Sequence, residues 1–228
     1  MIRMPEAEAA HLVDAYRKAR VILEYGSGES TRRAAELGQR LIISVESDLK
    51  WARDLRQEIE AADPFASVVI HHADIGPTGA WGRALNDRAW PQFHLYPNGV
   101  WDQPYFRHPD VVLIDGRFRT ACMMAVMMRI TRPVTVLFDD YIDRPKYQLI
   151  ERILRPALTV GRMAEFHVTP GLLGPEDMGF AVAQFFEHSL HGQGMAAYRT
   201  AGRGHAGHKG TMMNKDQTKV SKTEPAAD

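Results

Sequence analysis

The chain has 228 residues, 45% hydrophobic and 25% charged, which suits a soluble globular protein with room for one sizeable α/β domain. Lys plus Arg and Asp plus Glu both total 28, so the formal net charge is zero and the basic excess of a general nucleic-acid binder is missing. One cysteine, Cys122, excludes an intramolecular disulfide and a thiolate zinc cluster, and no stretch approaches the roughly 18 apolar residues of a membrane span. The opening "MIRMPEAEAAHL" has no long apolar run, so a cytoplasmic protein without a signal peptide is expected.

In chain order, "PEAEAAHLVDAYRKA" reads as a helix, with proline in its first turn and acidic residues leading basic ones. "RVILEYG" is a first strand feeding a glycine turn, and "STRRAAELG" a helix stopping at Gly38. "RLIISVES" is a second strand, "DLKWARDLRQEIEAAD" a helix opened by Asp48 as N-cap, and "ASVVIHHADIG" a third strand. Residues 76–109 have no clear period and are rich in Gly, Pro and aromatics, as expected of a lid or binding loop. "DVVLIDG" resumes as a fourth strand, "RFRTACMMAVMMRI" as a helix with methionines at core spacing, "PVTVLFDDY" as a fifth strand and "YQLIERIL" as helix. "VGRMAEFHVTP" and "GFAVAQFFE" read as a closing pair of strands. Residues 191–228 are polar, rich in Gly and Lys, and read as a poorly ordered tail after a domain spanning 1–190. Near-continuous apolar strands alternating with helices predict a mainly parallel sheet covered on both faces.

"VILEYGSGES" carries the first functional signal. A dinucleotide site follows G-x-G-x-x-G and sets pyrophosphate against a helix N-terminus, but here the third glycine position is Thr31, and Glu24 and Glu29 would repel that group. The Gly-Lys-Ser/Thr of a P-loop does not occur. S-adenosylmethionine instead brings a sulfonium and an ammonium, so Glu24 is expected to face its methionine end. Glu46 ends the second strand about 20 residues after the first glycine, where an acid accepts ribose hydroxyls. Asp74 ends the third, placed to accept from an adenine amino group. Each acid alone has an ordinary reading as a solvated strand end or turn cap, but three at successive strand ends lie where open α/β sheets bind ligands.

"LEYGSGES", "SVES" and "HHAD", in that order over roughly residues 15–190, resemble the cofactor motifs of class I S-adenosylmethionine-dependent methyltransferases. The resemblance implies a doubly wound seven-stranded sheet ordered 3-2-1-4-5-7-6 with its last pairing antiparallel. It implies cofactor contacts from Glu24, Gly26, Ser27, Gly28, Ser30, Glu46, Ser47, Asp74, Ile75 and Asp115. Asp115 after the fourth strand, with Asp139 and Asp140 after the fifth, is similar to the metal site of catechol-type and macrocin-type O-methyltransferases, which implies Mg²⁺ on these three acids. A metal there would orient two substrate oxygens and lower a hydroxyl pKa. The alternative is that the acids only end strands and cap helices.

"DGRFR" departs from the catechol type, with Phe118 where that family has a lysine base. Arginine does not act as a base near neutral pH, so Arg117 or Arg119 is expected to bind an acidic substrate. Asp115 and Arg117 are the catalytic candidates, and His94, His108 and Tyr141 remain open as the base. The leading expectation is methyl transfer to a small-molecule hydroxyl, with no nucleic-acid or membrane partner and the oligomeric state open, a homodimer among the options. The rivals are a metal-free methyltransferase on another small acceptor, and a non-catalytic protein that keeps the cofactor fold.

Overall fold

The computed structural model describes residues 4–187, so the tail expected from residue 191 lies outside the described residues. Seven strands form one sheet in the order β3-β2-β1-β4-β5-β7-β6. They are β1 Val21–Tyr25, β2 Leu41–Glu46, β3 Ser67–His72, β4 Val111–Ile114, β5 Val134–Phe138, β6 Leu158–Val160 and β7 Met163–Val168. The first five run parallel, and β7 pairs antiparallel with both β5 and β6. The expected order therefore holds.

Helices α1 Glu6–Lys18, α2 Glu29–Glu36 and α3 Leu49–Ala62 cover one face, where Leu12, Tyr16, Ala34 and Ala35 pack on Ile22, Ile42 and Leu113. Asp48 caps α3, its carboxylate accepting from the Trp51 amide at 2.8 Å. The other face takes α5 Arg119–Arg129, whose Cys122, Met123, Met124 and Met127 are buried against Ile43, Val112 and Phe166. A helix apolar on nearly every side has to be enclosed, and here the insert completes the enclosure. Among the described residues no helix is long and apolar enough to cross a membrane.

Two expectations change at this level. "GFAVAQFFE" is not a strand: α6 occupies Met178–Gln184, and the closing pair is instead the β6–β7 hairpin around Gly161 and Arg162. Gly161, at φ +54°, opens a two-residue turn of the kind that needs a positive φ, and an added Cβ would lie 2.1 Å from the Glu8 carboxylate. "YQLIERIL" forms a 3-10 segment, Tyr147–Arg152.

The insert also differs from a simple lid. It holds short 3-10 turns and a one-turn helix, α4 Leu95–Asn98, and its Phe93, Tyr96, Val100 and Trp101 belong to the core. Trp101 donates through Nε1 to the Tyr25 hydroxyl at 2.7 Å, and that hydroxyl donates to the Pro97 carbonyl at 2.7 Å. Residues 93–101 are thus part of the domain, while Trp81 and Trp90 in the first half are exposed.

Candidate functional site

From β1 the chain builds outward to β3, then crosses back to β4 on the other side of β1. That reversal opens a crevice at the C-terminal ends of β1 and β4, the usual ligand position in open α/β sheets. The β1 turn and the β4 loop meet there. Gly26 sits at φ +103°, and a Cβ on it would come within 2.8 Å of Gly116. A Cβ on Gly116 would lie 2.1 Å from the Tyr96 hydroxyl, so both glycines are required by close approach. The motif pointed to Gly26; Gly116, visible only as the second half of "DG", was missed.

Glu46 lies at this crevice as expected. One carboxylate oxygen accepts the Ser27 hydroxyl at 2.8 Å; the other accepts the Ser47 and Asp48 amides at 2.7 and 2.9 Å. These contacts fix the acid rigidly beside the Gly26–Gly28 turn. Asp74 is exposed at the tip after β3, one oxygen accepting the Gly76 amide at 2.9 Å. Ile75 is 1% exposed in the core, which leaves only its backbone to face a ligand. Ser47 is also buried, and its hydroxyl donates to the Gly82 carbonyl at 2.8 Å rather than into the crevice.

Glu24 corrects the sequence reading. It is wholly buried on the α1–α2 face of the sheet, with one oxygen accepting from the Tyr16 hydroxyl at 2.6 Å and the other from Thr31 at 2.5 Å. Ser30 is buried beside the same carboxyl. The Thr31 hydroxyl in turn accepts the Gly28 amide at 3.0 Å. Neither Glu24 nor Ser30 faces a methionine end; Glu24 braces the glycine turn from beneath. Burial pushes its pKa up, against the hydrogen bonds that favour the ionised form.

The second acidic group does assemble, but with arginines. Asp139, 2% exposed, accepts from Nε and Nη2 of Arg162, at 3.1 and 3.0 Å. Asp140 stands at φ +57° and pairs with Arg144 at 2.9 Å, Arg162 at 3.2 Å and Arg119 at 3.3 Å. Arg119 also donates to the Asp115 carboxylate at 2.9 Å, the Gly116 carbonyl at 3.1 Å and the Asp139 carbonyl at 2.5 Å, tying the loops after β4 and β5 together. Guanidiniums meet both oxygens of Asp139 and of Asp140 and Oδ1 of Asp115, so their N–H groups occupy most of the lone pairs that Mg²⁺ would need. Among the described residues no group of three or more His, Cys, Asp or Glu side chains is arranged to hold a metal ion. The expected Mg²⁺ site on Asp115, Asp139 and Asp140 does not fit these residues. No local motif marks Arg162, in the hairpin turn, as the partner of Asp139.

Asp115 keeps one distinctive property. Burial, then the nearby carboxyls of Asp139 and Asp140, outweigh Arg119 and push its pKa up to about 7. The other base candidates fall away. His108 donates through Nδ1 to the Pro109 carbonyl and accepts the Thr131 amide on Nε2, at the opposite edge of the sheet. The His94 ring pairs with the Pro91 carbonyl at 2.8 Å on the exposed insert. Tyr141 is fully buried, donates to Glu151, and has its pKa pushed up by burial.

A methyltransferase-like protein from Silicibacter pomeroyi DSS-3 is 46% identical over 81% of this chain and 96% of its own, with a TM-score of 0.78. A methyltransferase from Geobacter sulfurreducens matches at 9% identity over 73% of this chain and 80% of its own, TM-score 0.49. A Bacillus cereus O-methyltransferase solved with SAH matches at 18% over 72% and 80%, TM-score 0.42; both likenesses are too remote to carry any argument. No protein-family model matches the chain. No curated protein matches it. With the strand order, the glycine turn and Glu46 in place, the 46% relative settles the family: the chain belongs to the class I S-adenosylmethionine-dependent methyltransferases.

Proposed function

We propose that the chain methylates a hydroxyl oxygen of a small molecule, using S-adenosylmethionine and no metal ion. The observation that carries this reading is Glu46, fixed by Ser27, Ser47 and Asp48 at the crevice where the β1 turn meets the β4 loop. In the proposed site Glu46 accepts the ribose hydroxyls, Asp74 accepts from the adenine amino group, and the Gly26–Gly28 backbone lies along the methionine end. Bound there, S-adenosylmethionine would supply an electrophilic methyl group from its sulfonium. The acceptor oxygen that gains the methyl loses a proton, and Asp115 is suited to receive it. Its pKa of about 7 balances proton affinity against availability of the ionised form near neutral pH. The methyltransferase-like relative from Silicibacter pomeroyi supports methyl transfer in general.

Calorimetry with S-adenosylhomocysteine tests the first half. Binding is expected, with Glu46→Ala weakening it by about 1.5–3 kcal/mol through lost charge-assisted hydrogen bonds. Absence of binding to the wild type, or a preference for NAD, overturns the reading. Transfer of label from methyl-labelled cofactor to a panel of hydroxyl compounds tests the second half.

A further inference from the structure

Two arginines stand apart from the neutralised cluster. Arg83 belongs to the insert and Arg117 to the loop after β4. Among the described residues, neither guanidinium pairs with a carboxylate, and the Nε of each is buried without a hydrogen-bond acceptor. Buried N–H groups are nearly always satisfied, and a charged one left over calls for an explanation, of which a bound anion is one.

Their positions frame the crevice. Gly82, directly before Arg83, packs so closely on the Glu46 loop that a Cβ would lie 2.4 Å from the Ser47 hydroxyl and 3.1 Å from a Glu46 carboxylate oxygen. Asp115 and Gly116, directly before Arg117, pack on the β1 turn, and the Arg117 amide donates to the Tyr96 hydroxyl at 3.2 Å. Phe118 follows at φ +49°, a left-handed conformation rare for a bulky residue, and separates the duties of its neighbours. Arg119 is spent on Asp115 and Asp140, whereas Arg117 is not. Arg117 is held below the usual arginine range, by burial first and, against Tyr96, by the like charges of Arg119 and Arg83. Arg83 and Arg117 thus stand on the two loops that close on the Glu46 turn and the β1 turn, and two unpaired guanidiniums so placed call for an anion.

We propose that Arg83 and Arg117 form an anion-binding subsite, and that the methyl acceptor carries a carboxylate or phosphate beside the hydroxyl it presents. This rests on the methyl-transfer reading for the word acceptor, but the anion site stands on its own geometry. The cofactor's own carboxylate is the competing source of the same chemistry. Its amino-acid end is a zwitterion, however, and two guanidiniums would repel the ammonium as they attract the carboxylate. An acceptor's isolated anion meets no such opposition, and paired arginines suit its planar or tetrahedral oxygens.

The Nε–H groups can be read directly in the full chain labelled with ¹⁵N-arginine and saturated with S-adenosylhomocysteine. Titration with 3,4-dihydroxybenzoate or inorganic phosphate is expected to shift the Arg83 and Arg117 signals saturably, while neutral catechol leaves them in place. Arg83→Lys and Arg117→Lys, which keep the charge and assign the signals, should each weaken anion binding by about tenfold while cofactor affinity stays within about twofold. The proposal is overturned by the absence of a saturable shift, or by an equal response to catechol. A tenfold loss of S-adenosylhomocysteine affinity in either variant also overturns it, giving the pair to the cofactor's carboxylate. If the wild type fails to bind S-adenosylhomocysteine, the methyl-transfer reading falls, and the same titration of the free chain still decides the anion site.

Discussion

Glu24 is a wholly buried carboxyl, so its worth lies in the hydroxyls it satisfies. Replacing it by alanine strands the Tyr16 and Thr31 hydroxyls in a buried space and loosens the Gly28 amide that Thr31 accepts. Glu24→Ala is expected to lower stability by roughly 2–4 kcal/mol in urea unfolding and to weaken S-adenosylhomocysteine binding without any contact to it. Asp115 gives a pH signature. Its folded pKa lies at about 7, above the ordinary 3.8, so its contribution to stability is full below pH 3.8 and is lost as pH rises through about 7. Asp115→Asn should flatten that slope in unfolding curves recorded across the window, and should abolish turnover if Asp115 takes the proton. The sequence showed that an acid precedes the glycine turn but not which way it points. Strand parity sets Glu24 with Ile22 on the α1–α2 face, and hydroxyls contributed by two different helices then enclose it. Such convergence from distant segments leaves no local pattern to read.

At the level of elements, the parallel strands and their helices were legible because each has a strong period and a clear stop. The misreadings fell where the period is short or absent. Residues 178–186 are a brief apolar run, and such runs fit a strand or a buried helix equally well. The insert's turns give no period, yet Phe93, Tyr96 and Trp101 anchor it in the core, stacked near Phe118, Tyr25 and Phe106. Removing residues 82–104 would therefore take out core, not only a cover. Trp101→Ala is expected to destabilise by about 3–5 kcal/mol, as large buried aromatics do. Trp90→Ala, at an exposed site, should stay within about 0.5 kcal/mol. Equal losses for the two would mean that the first half of the insert is as integral as the second. With Trp90→Ala neutral, the hinge of any lid lies within residues 76–90, where Gly76 and Gly82 hold positive φ.

Over the whole molecule, formal charge sums to zero, and the site edge repeats that balance with Asp115, Asp139 and Asp140 against Arg119, Arg144 and Arg162. From sequence, three acids at two neighbouring strand ends read as a metal site, because partners contributed by a distant hairpin do not appear in the local motif. The two arrangements predict opposite behaviour. Carboxylates awaiting Mg²⁺ would repel one another without it, so the ion would raise the unfolding temperature and EDTA would stop turnover. Carboxylates already paired with guanidiniums gain little from Mg²⁺, so both measurements should be flat. Breaking the pair is where the cost should appear. Arg162→Met removes the two donors on Asp139 and leaves a carboxylate that is 2% exposed without its counter-charge. A loss of about 3–5 kcal/mol is expected, insensitive to EDTA. Arg162→Met together with Asp139→Leu removes both charges and should recover much of that loss, since an apolar pair of similar size often replaces a buried ion pair without penalty. If Mg²⁺ alone rescued the single variant, Asp139 would be a latent metal ligand that Arg162 normally occupies. If it stabilised the wild type as well, the neutralised cluster would not be the resting state of the site.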